Sequence, residues 1–296
     1  MLNLFENDSL VGHLHTMYIY SENPPISPLP ITIQSHFRKS EWGYNEETGV
    51  TYFKSIFNPN RKNDYCDNFE EVLKRTSTIM SQAGITDFTI KRVDCCIDSY
   101  HDNFNEMFKL NKCLLLLIAC AYKVKNLYQS TDPLLLNKKT LRGENRWFQI
   151  ENYNKALESN HSDIVKNRFE MRALGLNNWG IDQIPLLANA WSKRFDKSLK
   201  YFEALQVECN AALFRQWGQE QGIQVKSISE FIRKYEDSFF THKQLSKFLH
   251  SIGSCNAEKS AYNMAYQNEI ELFSYKEIKL HTEKLKHSLH SFFNHQ

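Results

Sequence analysis

Charged residues occupy alternate positions in two segments that otherwise consist of strand-forming residues. The first is Lys91–Asp98, which reads KRVDCCID, and the second is Arg168–Arg172, which reads RFEMR. Alternate residues of a β-strand share one face of the sheet. The residues that share a face are Asp94, Cys96 and Asp98 in the first segment and Arg168, Glu170 and Arg172 in the second. Carboxylates and arginines arrayed in this way, together with the segment Tyr153–Lys155, suggest a site that holds a divalent cation beside a phosphate.

The whole pattern predicts an α+β fold, with an antiparallel-rich sheet, helices on one of its faces and a helical C-terminal region. Strand-forming segments are Leu10–Tyr20, Pro30–Phe37, Val50–Phe57, Asp87–Asp98, Trp147–Tyr153 and Val165–Ala173. Helical segments are Asn68–Ala83, Asn103–Ala121 and, beyond Gly180, Gln183–Gln216, Ser227–Asp237, His242–Ser251, Ala257–Leu272 and Tyr275–Phe293. We therefore predict two domains, residues 1–180 with the site and residues 181–296 with a helical bundle.

Composition narrows the class of protein. Of the 296 residues 42% are hydrophobic and 13% are aromatic, which is sufficient for a packed core and argues against global disorder. The seven cysteines show no C-x-x-C spacing, so a zinc ribbon is not predicted. Their odd number and the lack of a signal-peptide pattern predict reduced thiols in the cytoplasm. The apolar run Cys113–Ala121 is too short to cross a bilayer, so we predict a buried helix and no membrane span.

Basic residues are concentrated in one part of the chain. The formal net charge is +2, yet residues 123–172 hold ten Lys/Arg against six Asp/Glu, a local excess of +4. A focused basic stretch on a nearly neutral protein fits a nucleic-acid groove, although a solvated surface of mixed charge gives the same count.

Three short motifs resemble, in their order and spacing, those of the replication endonucleases of filamentous phages and the related plasmid rolling-circle initiators. They are Arg92–Asp94 (RVD), Tyr153–Lys155 (YNK) and Arg168–Arg172 (RFEMR), and the likeness covers roughly residues 10 to 176. The resemblance implies a metal-dependent nick at a replication origin. In that reaction a tyrosine attacks the phosphodiester and stays bonded to the 5′-phosphate, which leaves a 3′-hydroxyl.

Physical chemistry assigns roles to the matched residues. Mg²⁺ or Mn²⁺ prefers hard oxygen ligands, which Asp94, Asp98 and Glu170 can supply from neighbouring strands. Lys155 or Arg172 is expected to steady the phosphate and offset the developing charge. Further basic residues are expected to contact the DNA, namely Lys138, Lys139, Arg142, Arg146 and Arg168.

The attacking tyrosine is the point at which the chain departs from the family pattern. The segment 137–146, where the resemblance places that residue, keeps a glycine and basic residues but contains no tyrosine. The candidates are then Tyr153 and Tyr128. The alternative is that covalent nicking has been lost and the domain only binds DNA, as a non-nicking initiator or a regulator. In a third interpretation the carboxylates only form salt bridges in a structural protein of a mobile element.

The segment His13–His15 suggests a second metal-binding pattern. A histidine–hydrophobic–histidine strand is the metal-binding signature of a broad group of single-strand nicking enzymes, since both imidazoles share one strand face. The alternative is a strand that places two histidines outward without a metal.

The C-terminal region predicts a further DNA contact. Ser227–Tyr235 and Thr241–His250 resemble two paired short helices, which can place Lys243, Gln244 and Lys247 in a major groove or serve only as a packing unit. The expected partner is origin DNA, both double- and single-stranded. A host helicase and a second copy of the chain, forming a homodimer, are further candidate partners.

Overall fold

The protein has an α+β fold built on an antiparallel sheet. The computed structural model describes residues 10–25, 28–60, 64–100, 104–122, 124, 126–131, 139–158, 167–201, 273 and 275–294. Within these residues the strands are β1 (Leu10–Ser21), β2 (Phe37–Asn45), β3 (Val50–Phe57), β4 (Thr89–Ser99), β5 (Asn126–Thr131), β6 (Lys139–Glu144), β7 (Phe148–Asn154) and β8 (Asn167–Trp179). The helices are α1 (Ile31–Gln34), α2 (Phe69–Ala83), α3 (Phe104–Ala121), α4 (Lys155–Glu158), α5 over residues 186–201, and α6 (Tyr275–Phe293).

The order of strands brings the two charged segments side by side. All eight strands belong to one sheet, in the order β2-β3-β1-β4-β8-β7-β6-β5, and every pairing is antiparallel. The segment Lys91–Asp98 lies in β4 and Arg168–Arg172 in the adjacent β8. Residues directly opposite in an antiparallel pair share a face. The charged positions of the two strands therefore meet on one face, and the apolar positions between them meet on the other.

The apolar face of the sheet carries the core. It includes Leu14 of β1, Val93 and Ile97 of β4 and Phe169 of β8, all at most 2% exposed. Helix α6 packs on β1, and α3 packs on β7, β8 and α6. Aromatic contacts attach α5, because Phe148 meets Trp191 and Phe169 meets Phe195 with ring centroids 5.7 and 6.4 Å apart. The helices thus cover the face opposite the charged residues, as the α+β prediction requires.

Helix α2 shows how local sequence sets its ends. The side chain of Asn68 accepts a hydrogen bond of 3.0 Å from the backbone N–H of Glu71, an N-cap that satisfies one of the unpaired donors of the first turn. Gly84 ends the helix with φ of +73°, a left-handed conformation that glycine adopts without steric cost. The predicted helix Asn68–Ala83 is therefore found within one residue.

Several sequence predictions need correction. The strand predicted at Pro30–Phe37 is wrong, because α1 occupies Ile31–Gln34 and β2 begins only at Phe37. Pro30 has φ of −54° and precedes the first helical residue, a place where its missing N–H has no cost. The strands β5 and β6 were not predicted, since their polar and basic residues lack the alternation of a half-buried strand.

The part of the chain after residue 180 is described only in pieces. The described helices there are α5 and α6, and both pack into the core of the sheet. The predicted helices Ser227–Asp237, His242–Ser251 and Ala257–Leu272 lie outside the described residues, so the division into two domains stays a prediction.

Among the described helices none combines the length and the apolar character needed to span a membrane. The run from Cys113 to Ala119 in α3 is buried.

Candidate active site on the polar face of the sheet

Three rows of side chains cross the polar face at the centre of the sheet, each set by strand register. The first row runs from β1 to β7 through Thr16, Asp94, Arg172 and Gln149. The second runs from β1 to β6 through His13, Cys96, Glu170, Glu151 and Arg142. The third passes through Val11, Asp98, Arg168 and Tyr153. The three predicted metal ligands therefore lie on one face, in three adjacent rows.

Asp94 is held by an arginine of its own strand. Arg92 donates from Nε and Nη2 to the two carboxylate oxygens of Asp94, both at 2.8 Å, and the Thr16 hydroxyl donates at 2.6 Å. Asp94 is 2% exposed, whereas the Arg92 side chain is 30% exposed. The carboxylate is thus desolvated and satisfied by neighbours, and Arg92 reaches the solvent rim of the face.

Arg172 links three carboxylates. Its guanidinium lies 2.6 Å from Glu170 Oε1, 3.2 Å from Glu151 Oε2 and 3.7 Å from Asp94 Oδ2. Glu151 and Glu170 are directly opposite each other in β7 and β8, an arrangement of like charges that is unfavourable without a cation between them. The three carboxylates hold the pKa of Arg172 above its ordinary value, although burial alone would lower it. The Arg172 side chain keeps 20% exposure.

Asp98 is the most enclosed of the predicted ligands. Both of its oxygens accept hydrogen bonds of 2.7 Å from Arg168, and neither side chain is exposed. Burial raises the pKa of Asp98, but Arg168 and His13 outweigh it and hold that pKa below its ordinary value. Arg168 was predicted to contact DNA, and in this arrangement it is directed to Asp98 with no surface open to solvent.

Glu170 is the carboxylate that meets a tyrosine. The Tyr153 hydroxyl donates to Glu170 Oε2 at 2.8 Å, while Oε1 accepts from Arg172. Burial would raise the pKa of Glu170, but the neighbouring His15, Arg172 and Arg168 outweigh it and hold the pKa well below its ordinary value. Glu170 is therefore ionised at neutral pH, although it is only 1% exposed.

An irregularity in β1 turns His15 toward this carboxylate. The register between β1 and β4 shifts between Leu14 and Thr16, so His15 is an extra residue on its strand, as in a β-bulge. Its Nδ1 lies 3.6 Å from Glu170 Oε2 and makes no hydrogen bond. Ligand atoms of His15, Cys96 and Glu170 lie within 4.8 Å of one another, a grouping that can hold a metal ion. This grouping overlaps the predicted carboxylate set only at Glu170.

His13 has a different environment from His15. It is buried, its ring lies 4.8 Å from that of Tyr65, and its Nε2 is 3.4 Å from Arg168 Nη2. Burial, with Arg168 and His15, lowers the pKa of His13 to about 4 against the raising effect of Asp98. His13 is therefore neutral and accepts from Arg168, whereas His15 lies beside Glu170, so the two histidines of the segment have different neighbours.

The other predicted residues lie at several places. Lys155 begins α4 directly after β7 and is partly buried. Arg146 lies on the exposed turn between β6 and β7, where its guanidinium stacks 4.1 Å from the ring centre of Trp147. By backbone register, Tyr128 is opposite Arg142 and Lys139 is opposite Thr131. Residues of the prediction that lie outside the described parts are Lys138, Lys243, Gln244 and Lys247.

Sequence reasoning missed four members of the site. Thr16, Tyr65 and Glu151 are not marked by any motif, because they come from segments that only the sheet brings near β4 and β8. Cys96 did carry a signal, since it lies between Asp94 and Asp98 at the alternate spacing that places all three on one face. A cysteine in a row of carboxylates is a reason to consider a metal with affinity for sulfur.

Comparisons with known proteins add little. No protein-family model matches the chain, and no curated protein matches it at a significant level. A solved rolling circle replication initiator protein from Geobacillus stearothermophilus is similar over 57% of this chain and 76% of that chain, at 11% identity and a TM-score of 0.32. A similarity this low carries no information about the function of this chain.

Proposed function

We propose that the protein binds DNA and cuts one strand through Tyr153, in the manner of a rolling-circle replication initiator. The observation that carries this proposal is the 2.8 Å hydrogen bond from the Tyr153 hydroxyl to Glu170 Oε2. It joins a phenol to an ionised carboxylate that also belongs to the His15–Cys96–Glu170 grouping. A nucleophile, a proton acceptor and a cation site within a few ångströms are the groups that phosphodiester transfer requires.

The proposed step forms one bond and breaks one. The Tyr153 oxygen attacks the phosphorus, the bond from phosphorus to the 3′-oxygen breaks, and the 3′-oxygen leaves as a hydroxyl. The phenol proton passes to Glu170 and then to solvent or the leaving group. A divalent cation beside Glu170 would neutralise the phosphate oxygens and favour the phenolate. Arg92 and Arg172, which are 30% and 20% exposed, supply positive charge for the flanking phosphates.

The proposal changes the metal ligands expected from the sequence. Asp94 and Asp98 each accept two short hydrogen bonds from an arginine, so a cation would have to displace a guanidinium to reach them. Glu170 Oε2 accepts only from Tyr153 among the hydrogen bonds described, and a carboxylate oxygen has two lone pairs. We therefore assign the cation to Glu170 and leave Asp94 and Asp98 to their arginines.

A DNA-binding protein that does not cut is the second candidate. It is favoured by the arginine partner of each predicted carboxylate and by the burial of Tyr153, which is 7% exposed. The absence of a tyrosine from segment 137–146 points the same way. In this case the polar face serves as a stabilising network, and the rim arginines alone contact phosphate.

A covalent capture experiment separates the two candidates. A random library of single-stranded oligonucleotides, labelled at either the 5′ or the 3′ end, is incubated with the protein in Mg²⁺, Mn²⁺ or Zn²⁺ and resolved under denaturing conditions. Cutting by tyrosine leaves the 3′ label on the protein and releases the 5′ label on a shortened strand. Sequencing of the captured strands gives the preferred site.

Variants assign the nucleophile. Tyr153→Phe should abolish the adduct, whereas Tyr20→Phe on the outer part of β1 should retain it. Tyr128→Phe and Tyr65→Phe test the other tyrosines near the site. Oligonucleotide binding without any adduct under all three metals would favour the non-cutting protein, and an undiminished adduct in Tyr153→Phe would overturn the assignment.

A further inference from the structure

We propose that His15, Cys96 and Glu170 bind one divalent transition-metal ion of the Zn²⁺ class, with the Cys96 sulfur as a thiolate ligand. The inference concerns the metal that the site selects, and it stands whether or not the protein cuts DNA. It differs from the expectation of Mg²⁺ or Mn²⁺, which rested on three carboxylates.

The three ligands come from three adjacent strands. Cys96 in β4 is opposite Glu170 in β8, and His15 reaches the same place from the bulge of β1. Their ligand atoms all lie within 4.8 Å of one another, and His15 Nδ1 is 3.6 Å from Glu170 Oε2. Ligands of a tetrahedral Zn²⁺ lie about 3.3–3.8 Å apart, given bond lengths of about 2.0–2.3 Å. Small side-chain rotations therefore close the site, and three protein ligands leave a fourth position for a water or a phosphate oxygen.

The donor atoms at the site are of the kinds that bind a transition-metal ion. His15 Nδ1 is buried and has no hydrogen-bond partner, which is a cost that coordination would remove. Glu170 Oε2 is oriented by the Tyr153 hydroxyl and Oε1 by Arg172, the kind of outer-shell hydrogen bonding that fixes metal ligands. A set of one nitrogen, one sulfur and one oxygen suits Zn²⁺, whereas Mg²⁺ requires oxygen ligands and retains its waters.

Charge balance favours the same conclusion. Among the described residues, the ion-pair network of the polar face contains four carboxylates and four guanidinium groups, whose charges sum to zero. They are Asp94, Asp98, Glu151 and Glu170 with Arg92, Arg142, Arg168 and Arg172. A divalent ion with a thiolate adds +2 and −1, which leaves +1 beside the fourth coordination position. The thiol proton passes to solvent, and the resulting site attracts an anionic phosphodiester.

Cobalt titration tests the inference on the full-length chain. The protein is stripped with a chelator and titrated with Co²⁺, which occupies zinc sites and gives an intense thiolate-to-cobalt charge-transfer absorption in the near ultraviolet. One equivalent should bind and show this absorption, Zn²⁺ should displace it, and a large excess of Mg²⁺ should not. A chain that binds no stoichiometric Co²⁺, or binds it without the thiolate absorption, would overturn the inference.

Neighbouring cysteines provide a matched control. Cys95 and Cys96 are both fully buried, but Cys95 lies on the apolar face opposite Leu14 and Met171. Cys96→Ala and Cys96→Ser should lose the absorption and weaken Co²⁺ binding by more than about 100-fold, since loss of an outer-shell partner alone costs about 10–100-fold. Cys95→Ala should bind as the unsubstituted protein does. Equal losses in the Cys95 and Cys96 variants would refute the assignment.

His15 gives a test that does not depend on folding of a core variant. Its side chain is 20% exposed, so His15→Gln should preserve the fold and still weaken Co²⁺ binding strongly. Unchanged binding in His15→Gln would overturn the inference. The result is separable from that for DNA cutting. Zn²⁺ binding without a covalent adduct would support the metal site and not the cutting. A covalent adduct formed with Mg²⁺ alone, in a protein without the cobalt absorption, would support the cutting and overturn the Zn²⁺ site.

Discussion

The guanidinium of Arg168 donates two hydrogen bonds of 2.7 Å to the carboxylate of Asp98, and neither side chain has exposed surface. The residues are opposite each other in β8 and β4, so sheet register alone brings the pair together. A charge pair removed from water in this way contributes little to the stability of the fold, because the cost of desolvation offsets the attraction between the charges. Removal of only one member leaves an uncompensated buried charge.

Asp98→Asn is therefore expected to lower the free energy of unfolding by about 3–5 kcal/mol. Urea denaturation of the variant and the unsubstituted protein at neutral pH measures the difference. The double variant Asp98→Leu/Arg168→Met should recover most of the loss, since it removes both charges. As a control, Lys74→Gln disrupts the pair Glu70–Lys74 on the exposed face of α2 and should cost much less than Asp98→Asn. Equal costs for Asp98→Asn and Lys74→Gln would contradict this account.

Arg172→Lys should be far from conservative. Arg172 contacts Asp94, Glu151 and Glu170 at once, and the point charge of a lysine cannot reproduce this planar fork. We expect a loss of about 2–3 kcal/mol in the free energy of unfolding, as for a partly compensated buried charge. Arg92→Lys, at an arginine with one described carboxylate partner, provides the comparison and should cost less than half as much. Thermal and urea unfolding of both variants measure the loss in the free energy of unfolding. Similar losses in the two variants would show that the contacts of Arg172 with three carboxylates add nothing to stability.

Gly12→Ala should loosen α6 from the sheet. A Cβ atom on Gly12 would lie 2.5 Å from the backbone oxygen of Ser288, and helix backbone cannot move aside without displacing α6. The expected cost is about 1–3 kcal/mol, the range for overpacking of a well-filled core. Gly43→Ala is a matched strand control near the sheet edge, because the atoms nearest to its added Cβ belong to the side chain of Tyr52. Hydrogen exchange should report faster exchange in α6 for Gly12→Ala alone, and unchanged exchange in α6 would contradict the packing account.

Acid should destabilise the protein before its carboxylates are protonated. Burial lowers the pKa of His281 to about 3 and that of His13 to about 4, from an ordinary value of 6.5. Below pH 6.5 the unfolded chain binds protons at these histidines that the folded chain does not bind, so stability falls as pH falls. Each histidine should contribute a slope of up to about 1.4 kcal/mol per pH unit. The pKa values of Asp98 and Glu170 are lowered in the folded protein, so the stability that these carboxylates contribute is lost only as pH falls from their unfolded pKa toward their folded pKa. That loss therefore begins below about pH 4.5.

Substitution of His281 isolates the histidine contribution. Its Nε2 is 2.7 Å from Asn111 Oδ1 and its Nδ1 is buried without a hydrogen bond, so a proton on Nδ1 would have no acceptor there. His281→Gln should reduce the slope of unfolding free energy between pH 6.5 and 4.5 by about half. His287→Gln, at an exposed position on the same helix, should leave the slope unchanged. A slope that is the same in both variants would rule out His281 as a source of the acid sensitivity.

Much of the secondary structure was predictable from local sequence. The helix Asn68–Ala83 carries its own signals, an asparagine at one end and a glycine at the other, and the final helix was predicted with the observed limits Tyr275–Phe293. The alternation in KRVDCCID and RFEMR predicted two strands and which of their residues share a face. The strand predicted at Pro30–Phe37 failed because β-branched residues favour strands only where they pack, and Ile31 is 90% exposed.

Local sequence determined most of the strands and helices and the alternation of charge, because φ/ψ preferences, caps and side-chain period act over a few residues. The partners of each charge were decided only by tertiary structure. Asp98 accepts hydrogen bonds from Arg168, 70 residues away in the chain, and Glu170 accepts one from Tyr153, 17 residues away. His15 and Cys96 lie beside Glu170 from two further strands. Strand order, one bulge in β1 and burial select these contacts. A site made by register across four strands is therefore a property of the sheet, and no single segment contains it.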